Sequence, residues 1–231
     1  MIKIIGDIWN ITKKSFSQFY NNLILFIIIN LAWFILILIL NFIGFYGVYN
    51  KIFITIIFFL LPLGPLLVTG LYIVNEIKES REIGWRKIVD FTKGNFKKGI
   101  YSFLIMVLLY SVLIIDIYYF FNKFIVMDPG IWSYLLMILN FIIIYILVFF
   151  SLMQLYFWGL MIYQNKEGII ILFKKAFLLT MDNLLFSFLW LLLVLISLII
   201  FVFTGFGLLF FFPTFISLII LNGTELILGR Y

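Results

Sequence analysis

Apolar residues run through this chain in long stretches, and short polar intervals cut them apart. The longest polar interval is Asn75–Gly99, NEIKESREIGWRKIVDFTKGNFKKG. Such a segment cannot sit in hydrocarbon, so it divides the runs before it from those after it. A helix needs about 20 apolar residues to cross the bilayer core. Leu23–Phe42, Ile52–Val74, Ile100–Phe121, Ile131–Tyr163, Leu184–Phe203 and the shorter Leu208–Leu221 predict six spans. Ile131–Tyr163 is too long for a straight crossing and must tilt or project. Pro62–Pro65 (PLGP) interrupts the second run and Pro213 the sixth. A proline lacks the N–H that an earlier carbonyl needs, so Phe58 and Leu61 lose their usual partners and the second span is kinked or broken.

Between the runs the period changes to that of amphipathic helices. In residues 1–22, Ile5, Ile8, Trp9, Thr12, Phe16 and Phe19 recur at helical spacing, with Lys3, Asp7, Lys13 and Lys14 largely elsewhere. Trp85, Ile88, Val89, Thr92 and Phe96 form a second such face, opposite Arg86, Lys87, Asp90, Lys93 and Lys97. Ile169, Phe173, Ala176, Phe177 and Thr180 form a third, with Lys174 and Lys175 on its polar side. Each would lie in the interface before a pair of spans. An internal repeat is visible as well. ITKKSFSQFYNNL (Ile11–Leu23) aligns with LFKKAFLLTMDNL (Leu172–Leu184), and FTKGNFKKG (Phe91–Gly99) aligns more loosely on Lys93 and Phe96. The expected architecture is a single all-α membrane domain of six transmembrane helices. It forms three hairpin units, approximately 1–75, 76–163 and 164–231, each opened by a basic interfacial helix.

Composition agrees with that reading. The chain is 66% hydrophobic and 11% charged, with a mean hydropathy of +1.25. Soluble domains average about 45–50% apolar and about 25% charged, so lipid must solvate most of this surface. There is no cysteine and no histidine. That excludes disulfides, thiolate chemistry, the usual Cys/His zinc sites and Ser-His-Asp triads. No paired carboxylates, phosphate-binding glycine loop or calcium loop is present. The expectation is a protein with no catalytic set, cofactor or metal. The acids Glu76, Glu79 and Glu82 alternate with Lys and Arg, which predicts a salt-bridged solvated face.

Charge orients the chain. With six spans, fourteen basic residues fall on one side of the membrane and only Lys51 and Lys123 on the other. Lys and Arg collect on cytoplasmic loops, so both termini are expected in the cytoplasm and the protein in the cell membrane. The net charge of +6 borders the spans. It points to the anionic inner leaflet rather than to nucleic acid.

Several landmarks together resemble the YesL-like family of bacterial membrane proteins of unknown biochemical function. They are NLAW at Asn30–Trp33, PLGPLLVTGLYIV at Pro62–Val74 and FTKGNFKKG at Phe91–Gly99. Leu66–Gly70 departs from the pattern, since the family tends toward smaller residues after Gly-Pro. The resemblance implies an accessory role near carbohydrate uptake, beside ABC-type sugar importers.

The remaining candidates are polar or helix-breaking residues at membrane depth, which are functional-site candidates by default. Asn30 and Thr69 sit at similar depth and are expected to hydrogen-bond, fixing the first hairpin. Pro62, Gly64 and Pro65 mark the break. Asn140, Ser151 and Gln154 lie near whole helical turns apart and form one stripe on the fourth span. That stripe is either interhelical glue or the lining of a solute path. Lys13, Lys14, Arg86, Lys87, Lys93, Lys97, Lys98, Lys174 and Lys175 are the candidate lipid and partner contacts. The function expected first is a non-enzymatic accessory or scaffold protein, with importer subunits or a second copy of itself as partner. The alternative is a small solute or lipid transporter acting as an oligomer.

Overall fold

A computed structural model describes residues 2–47, 62–81, 84–126, 130–205, 207 and 210–231. Lys51 and residues 52–61 of the second expected span lie outside them, as does Glu82. The described residues form eight helices and no strand. They are α1 (Ile2–Asn21), α2 (Leu23–Gly47), α3 (Leu63–Lys78), α4 (Trp85–Val126), α5 (Ile131–Tyr163), α6 (Ile169–Asp182), α7 (Leu184–Phe203) and α8 (Phe212–Leu228). Three of them, α4, α5 and α7, are long and apolar enough to cross a membrane. The pair α1–α2, bent by 86° at the break, passes the same criterion together and makes a fourth.

α5 and α7 coincide with the expected fourth and fifth spans. Three other elements differ from expectation. First, Trp85–Gly99 is not a separate interfacial helix. It is the opening of α4, 42 residues without a break, about 63 Å at the rise of an α-helix. Its buried residues Asn95, Gly99, Ser102 and Met106 follow one helical face straight across the expected elbow. A bend there would open the surface that is packed. Second, Pro62 and Pro65 do not interrupt a described helix but begin one. Pro62 caps α3 and Pro65 stands in its first turn, where a missing N–H costs nothing. Third, Pro213 likewise opens α8, which continues through the expected tail to Leu228. The chain has four prolines. Pro129 lies outside the described residues, and the other three all stand at helix starts.

Packing is concentrated at one end. The buried apolar side chains come mainly from the α1–α2 junction, α3 from Val68 onward, the C-terminal half of α5, α8 from Phe215 onward, and the N-terminal parts of α4, α6 and α7. Toward the other end, Leu108–Val126 of α4 and Ile131–Tyr145 of α5 leave most large apolar side chains exposed. In water this would be untenable; in a bilayer it is the lipid-facing surface. Between lipid-solvated helices the apolar drive is weak, so close packing and small residues matter most. A Cβ on Gly99 would stand 2.8 Å from Pro65 Cα, so α3 and α4 meet backbone to backbone. Gly70 receives the Trp33 indole and Gly223 the Trp190 indole.

The breaks at Asn22 and Asn183 share one chemistry. Asn22 Nδ2 donates to Gln18 O at 3.0 Å, and Asn183 Nδ2 donates to Leu179 O at 3.1 Å. At Asn22 the side chain takes the carbonyl that the backbone N–H has left for Phe19 O, whereas Leu179 O also keeps its bond from the Asn183 N–H.

Candidate functional site at the polar end of the bundle

The packed end carries most of the charge, because the polar segments of the sequence converge there. Lys78 closes α3, Glu225 lies near the end of α8, Lys14 lies on α1 and Tyr163 closes α5. Lys78 Nζ donates to Glu225 Oε2 at 2.7 Å and to Tyr163 Oη at 2.7 Å. The same Glu225 oxygen accepts from Lys14 Nζ at 3.1 Å. The Lys78 side chain is only 3% exposed, whereas that of Glu225 is 46% exposed. Burial pushes the Lys78 ammonium below its ordinary pKa, against the opposing pull of Glu225. Burial also raises the Glu225 carboxyl, but the hydrogen bonds and charges of Lys78 and Lys14 outweigh it and hold it below its ordinary value. A charge taken out of water is tolerated only with such partners.

Neighbouring contacts tie the same end together. Asn222 Nδ2 donates to Ser15 Oγ at 2.9 Å and Gln18 Oε1 at 2.8 Å, docking α8 on α1. Arg230 pairs with Asp7, and Tyr231 Oη donates to Asp182 at 3.3 Å. The two ends of the chain therefore meet. Arg81 pairs with Glu76 at 3.3 Å and also with Glu79. Glu76 is buried, however, not on the solvated face expected of it.

These contacts divide the nine candidate surface cations. Lys14 is committed to Glu225. Lys98 donates to Asn165 O, and to Glu167 O at 2.9 Å. Lys175 binds Gln164 Oε1 at 3.0 Å and Glu167 Oε1 at 2.5 Å. These three clamp the polypeptide rather than offering themselves to a partner. Lys13, Arg86, Lys87, Lys93, Lys97 and Lys174 are exposed, and no acid among the described residues pairs with them. Beside them stand exposed Ile5, Trp9, Phe16, Tyr20 and Trp85. On α1 the buried face is instead Ile11, Ser15 and Phe19, so half of the apolar face read from the sequence, Ile5, Trp9 and Phe16, is left uncovered.

The membrane-depth candidates resolve separately. Asn30 does not reach Thr69. Its Nδ2 donates to Phe210 O at 2.5 Å and to Thr214 Oγ1 at 2.9 Å, linking α2 to the start of α8. Thr69 turns to Pro65 O and to Thr92 Oγ1, at 2.8 and 3.0 Å, and so joins α3 to α4. Position along a helix cannot say which neighbour its face meets. Asn140 and Ser151 both face α4. Ser151 shares a 2.9 Å hydrogen bond with Tyr110. Asn140 lines a cavity of about 420 Å³ with Ile117, Phe121 and Phe124. Ser151 and Gln154 do not line it, so no described cavity joins the three residues. A cavity of about 410 Å³ lies instead between α2, α3, α5 and α8. Sequence reasoning missed it, and it missed the Lys78–Glu225–Tyr163 cluster. The one available signal was that Lys78 and Glu225 each stand four residues beyond the end of an expected span.

Among the described residues no group of three or more acids could hold a metal ion. The arrangement defines a class: an all-helical protein with three to four helices able to span a membrane and a charged, tightly packed end. Comparison with protein-family models, with curated proteins and with solved structures finds no match.

Proposed function

We propose that the chain is a non-enzymatic accessory or scaffold protein of the cell membrane, with six spans in three hairpin units and both termini in the cytoplasm. Its basic end lies on the anionic inner leaflet and docks a partner. The observation that carries this reading is the set of six exposed, unpaired cations beside exposed aromatic side chains at the packed end. Each such cation contributes about 1 kcal/mol of attraction to an anionic leaflet. The matching breaks at Asn22 and Asn183 support a repeated unit, and the 86° turn between α1 and α2 suits a helix lying flat before a span. The resemblance to YesL-like proteins suggests the partner: a subunit of an ABC-type sugar importer.

The test is purification from native membranes of the intact chain and of a variant carrying Arg86→Ala, Lys87→Ala and Lys93→Ala. The expected result is a membrane partner that copurifies with the intact chain and is lost from the variant. A partner retained equally by both would overturn the docking surface. A second reading, a small solute or lipid transporter acting as an oligomer, is favoured by the cavity beside Asn30.

A further inference from the structure

A groove of about 410 Å³ lies where α2, α3 and the opening turns of α4 meet, within the range of small-molecule sites, about 300–1,000 Å³. Its walls are mostly apolar: Ile29 and Ala32 from α2, Leu66 and Ile73 from α3, Ile88 and Val89 from α4. None of the lining residues is fully buried, so the groove is open to its surroundings. The polar groups left over in the lining are donors. The Thr69 and Thr92 hydroxyls are taken up with each other and with Pro65 O and Ile88 O. The Trp33 and Trp85 indole N–H groups have no acceptor among the described residues. Lys93, the one charged residue of the lining, is exposed and has none either. Arg86 stands seven residues before Lys93 and Lys97 four after it, on the same edge of α4. Asp90 shares that edge but pairs with none of the three, which leaves three cations against one acid.

We infer that this groove binds an acidic glycerophospholipid, with an acyl chain on the apolar wall and the headgroup phosphate accepting from Lys93. A phospholipid suits the donors, because its phosphate and ester oxygens are acceptors only and an ammonium–phosphate bond is among the stronger ones. It suits the walls, because its chains bring no polar group to Ile, Leu and Val. A zwitterionic phospholipid carries its own ammonium to a rim that is already positive, which weakens the contact. A sugar does not fit, because most of its hydroxyl hydrogens would face apolar side chains without partners. The inference deepens one part of the proposed function, the contact of the basic end with the anionic leaflet, and rests on it. At this groove a diffuse attraction becomes a discrete site.

The test uses the full chain in phosphatidylcholine nanodiscs containing a trace of photoactivatable phosphatidylglycerol or of photoactivatable phosphatidylcholine, both with the same reactive acyl chain. The phosphatidylglycerol probe should label peptides containing Ile29–Trp33 and Trp85–Lys93 about fivefold more than the phosphatidylcholine probe. Lys93→Gln should bring the two probes close to equality. Lys174→Gln removes an exposed cation of α6, outside the groove, and should leave the ratio unchanged. Ala32→Phe fills the groove from an exposed position and leaves every cation in place, and it should remove the label from these peptides. Equal labelling by the two probes in the unaltered chain overturns the inference, as does labelling unchanged by Ala32→Phe. A ratio lowered as much by Lys174→Gln as by Lys93→Gln overturns it in favour of diffuse attraction. Groove peptides shielded from both probes overturn it in favour of a second copy of the chain as occupant. Both nanodisc faces carry the same lipid, so the result does not depend on which face is cytoplasmic. The copurification test can fail without moving the label, and the label can fail without moving the partner.

Discussion

At Gly223 the helix backbone lies against the Trp190 indole, and any Cβ would overlap the ring. Gly223→Leu is therefore expected to destabilise the protein by about 1–3 kcal/mol, the usual cost of overpacking. Gly94 has nothing within 4 Å of where a Cβ would stand. Gly94→Ala should be neutral or stabilising by up to about 1 kcal/mol through helix propensity. Unfolding of the two purified variants in one detergent would check both, and a loss at Gly94 as large as that at Gly223 would contradict the packing described. Asn30→Leu removes two hydrogen bonds to the start of α8. Intramembrane hydrogen bonds average about 0.6 kcal/mol, so a loss of about 1 kcal/mol is expected, not failure to insert. For Glu225 the sign follows from a carboxyl held below its ordinary pKa of 4.5. The folded state binds this proton less tightly than the unfolded chain does. The stabilisation is thus complete above about pH 4.5 and is lost as pH falls through the depressed value. The difference in unfolding midpoint between the intact chain and Glu225→Gln should shrink on acidification through that window. A difference that stays constant there would show that the ion pair contributes nothing.

Helix boundaries follow local chemistry where an asparagine or a proline acts, and packing where neither does. Asn22 and Asn183 stand at the ends of α1 and α6 with their side-chain amides on the carbonyl four residues earlier, although at Asn183 the backbone N–H keeps that carbonyl too. Asn95 makes the same bond to Phe91 O at 3.0 Å, yet α4 continues. The difference is tertiary: Asn95, Gly99 and Ser102 are buried along one straight face, and Gly99 is pressed against Pro65. Spin labels at positions 86 and 118, 32 residues apart in α4, should report a distance of about 48 Å if the helix is unbroken. A much shorter distance would restore the elbow that α4 lacks. The ends of α5 and α7 were readable from the length of their apolar runs, because nothing inside those runs competes with the helix. The starts of α3 and α8 were not. A proline inside an apolar run is equally compatible with a kink and with a helix start, and only the neighbouring helices choose.

For the whole molecule, packing at one end and lipid-facing surface at the other make the charged end the place where function is to be sought. The chain has no cysteine, so single cysteines at positions 13, 86 and 174 can be introduced without background. All three should react with a membrane-impermeant thiol reagent in inside-out vesicles and be protected in right-side-out ones. Reaction of any one from the opposite side would refute the proposal of a common cytoplasmic face. Of the candidate site, the exposed cations of α1, α4 and α6 were legible, because a charge on the polar face of an amphipathic helix tends to stay in water. The commitments of Lys14, Lys98 and Lys175 were not, since their acceptors come from segments 211, 69 and 8 residues away.

The all-helical, lipid-solvated character was determined by the sequence alone. Backbone groups cannot be left unpaired in hydrocarbon, and runs this apolar can satisfy them only within a helix. The one-sided clustering of charge was likewise fixed by where the polar intervals fall along the chain. Which faces meet was decided only in three dimensions. Asn30 bonds to α8 rather than to Thr69, Trp33 and Trp190 lie on glycines of other helices, and Lys78 is buried against Glu225. In a surface composed largely of Ile, Leu and Phe, one apolar face looks much like another. The partner is selected by small residues and single polar atoms whose complements lie far away in sequence.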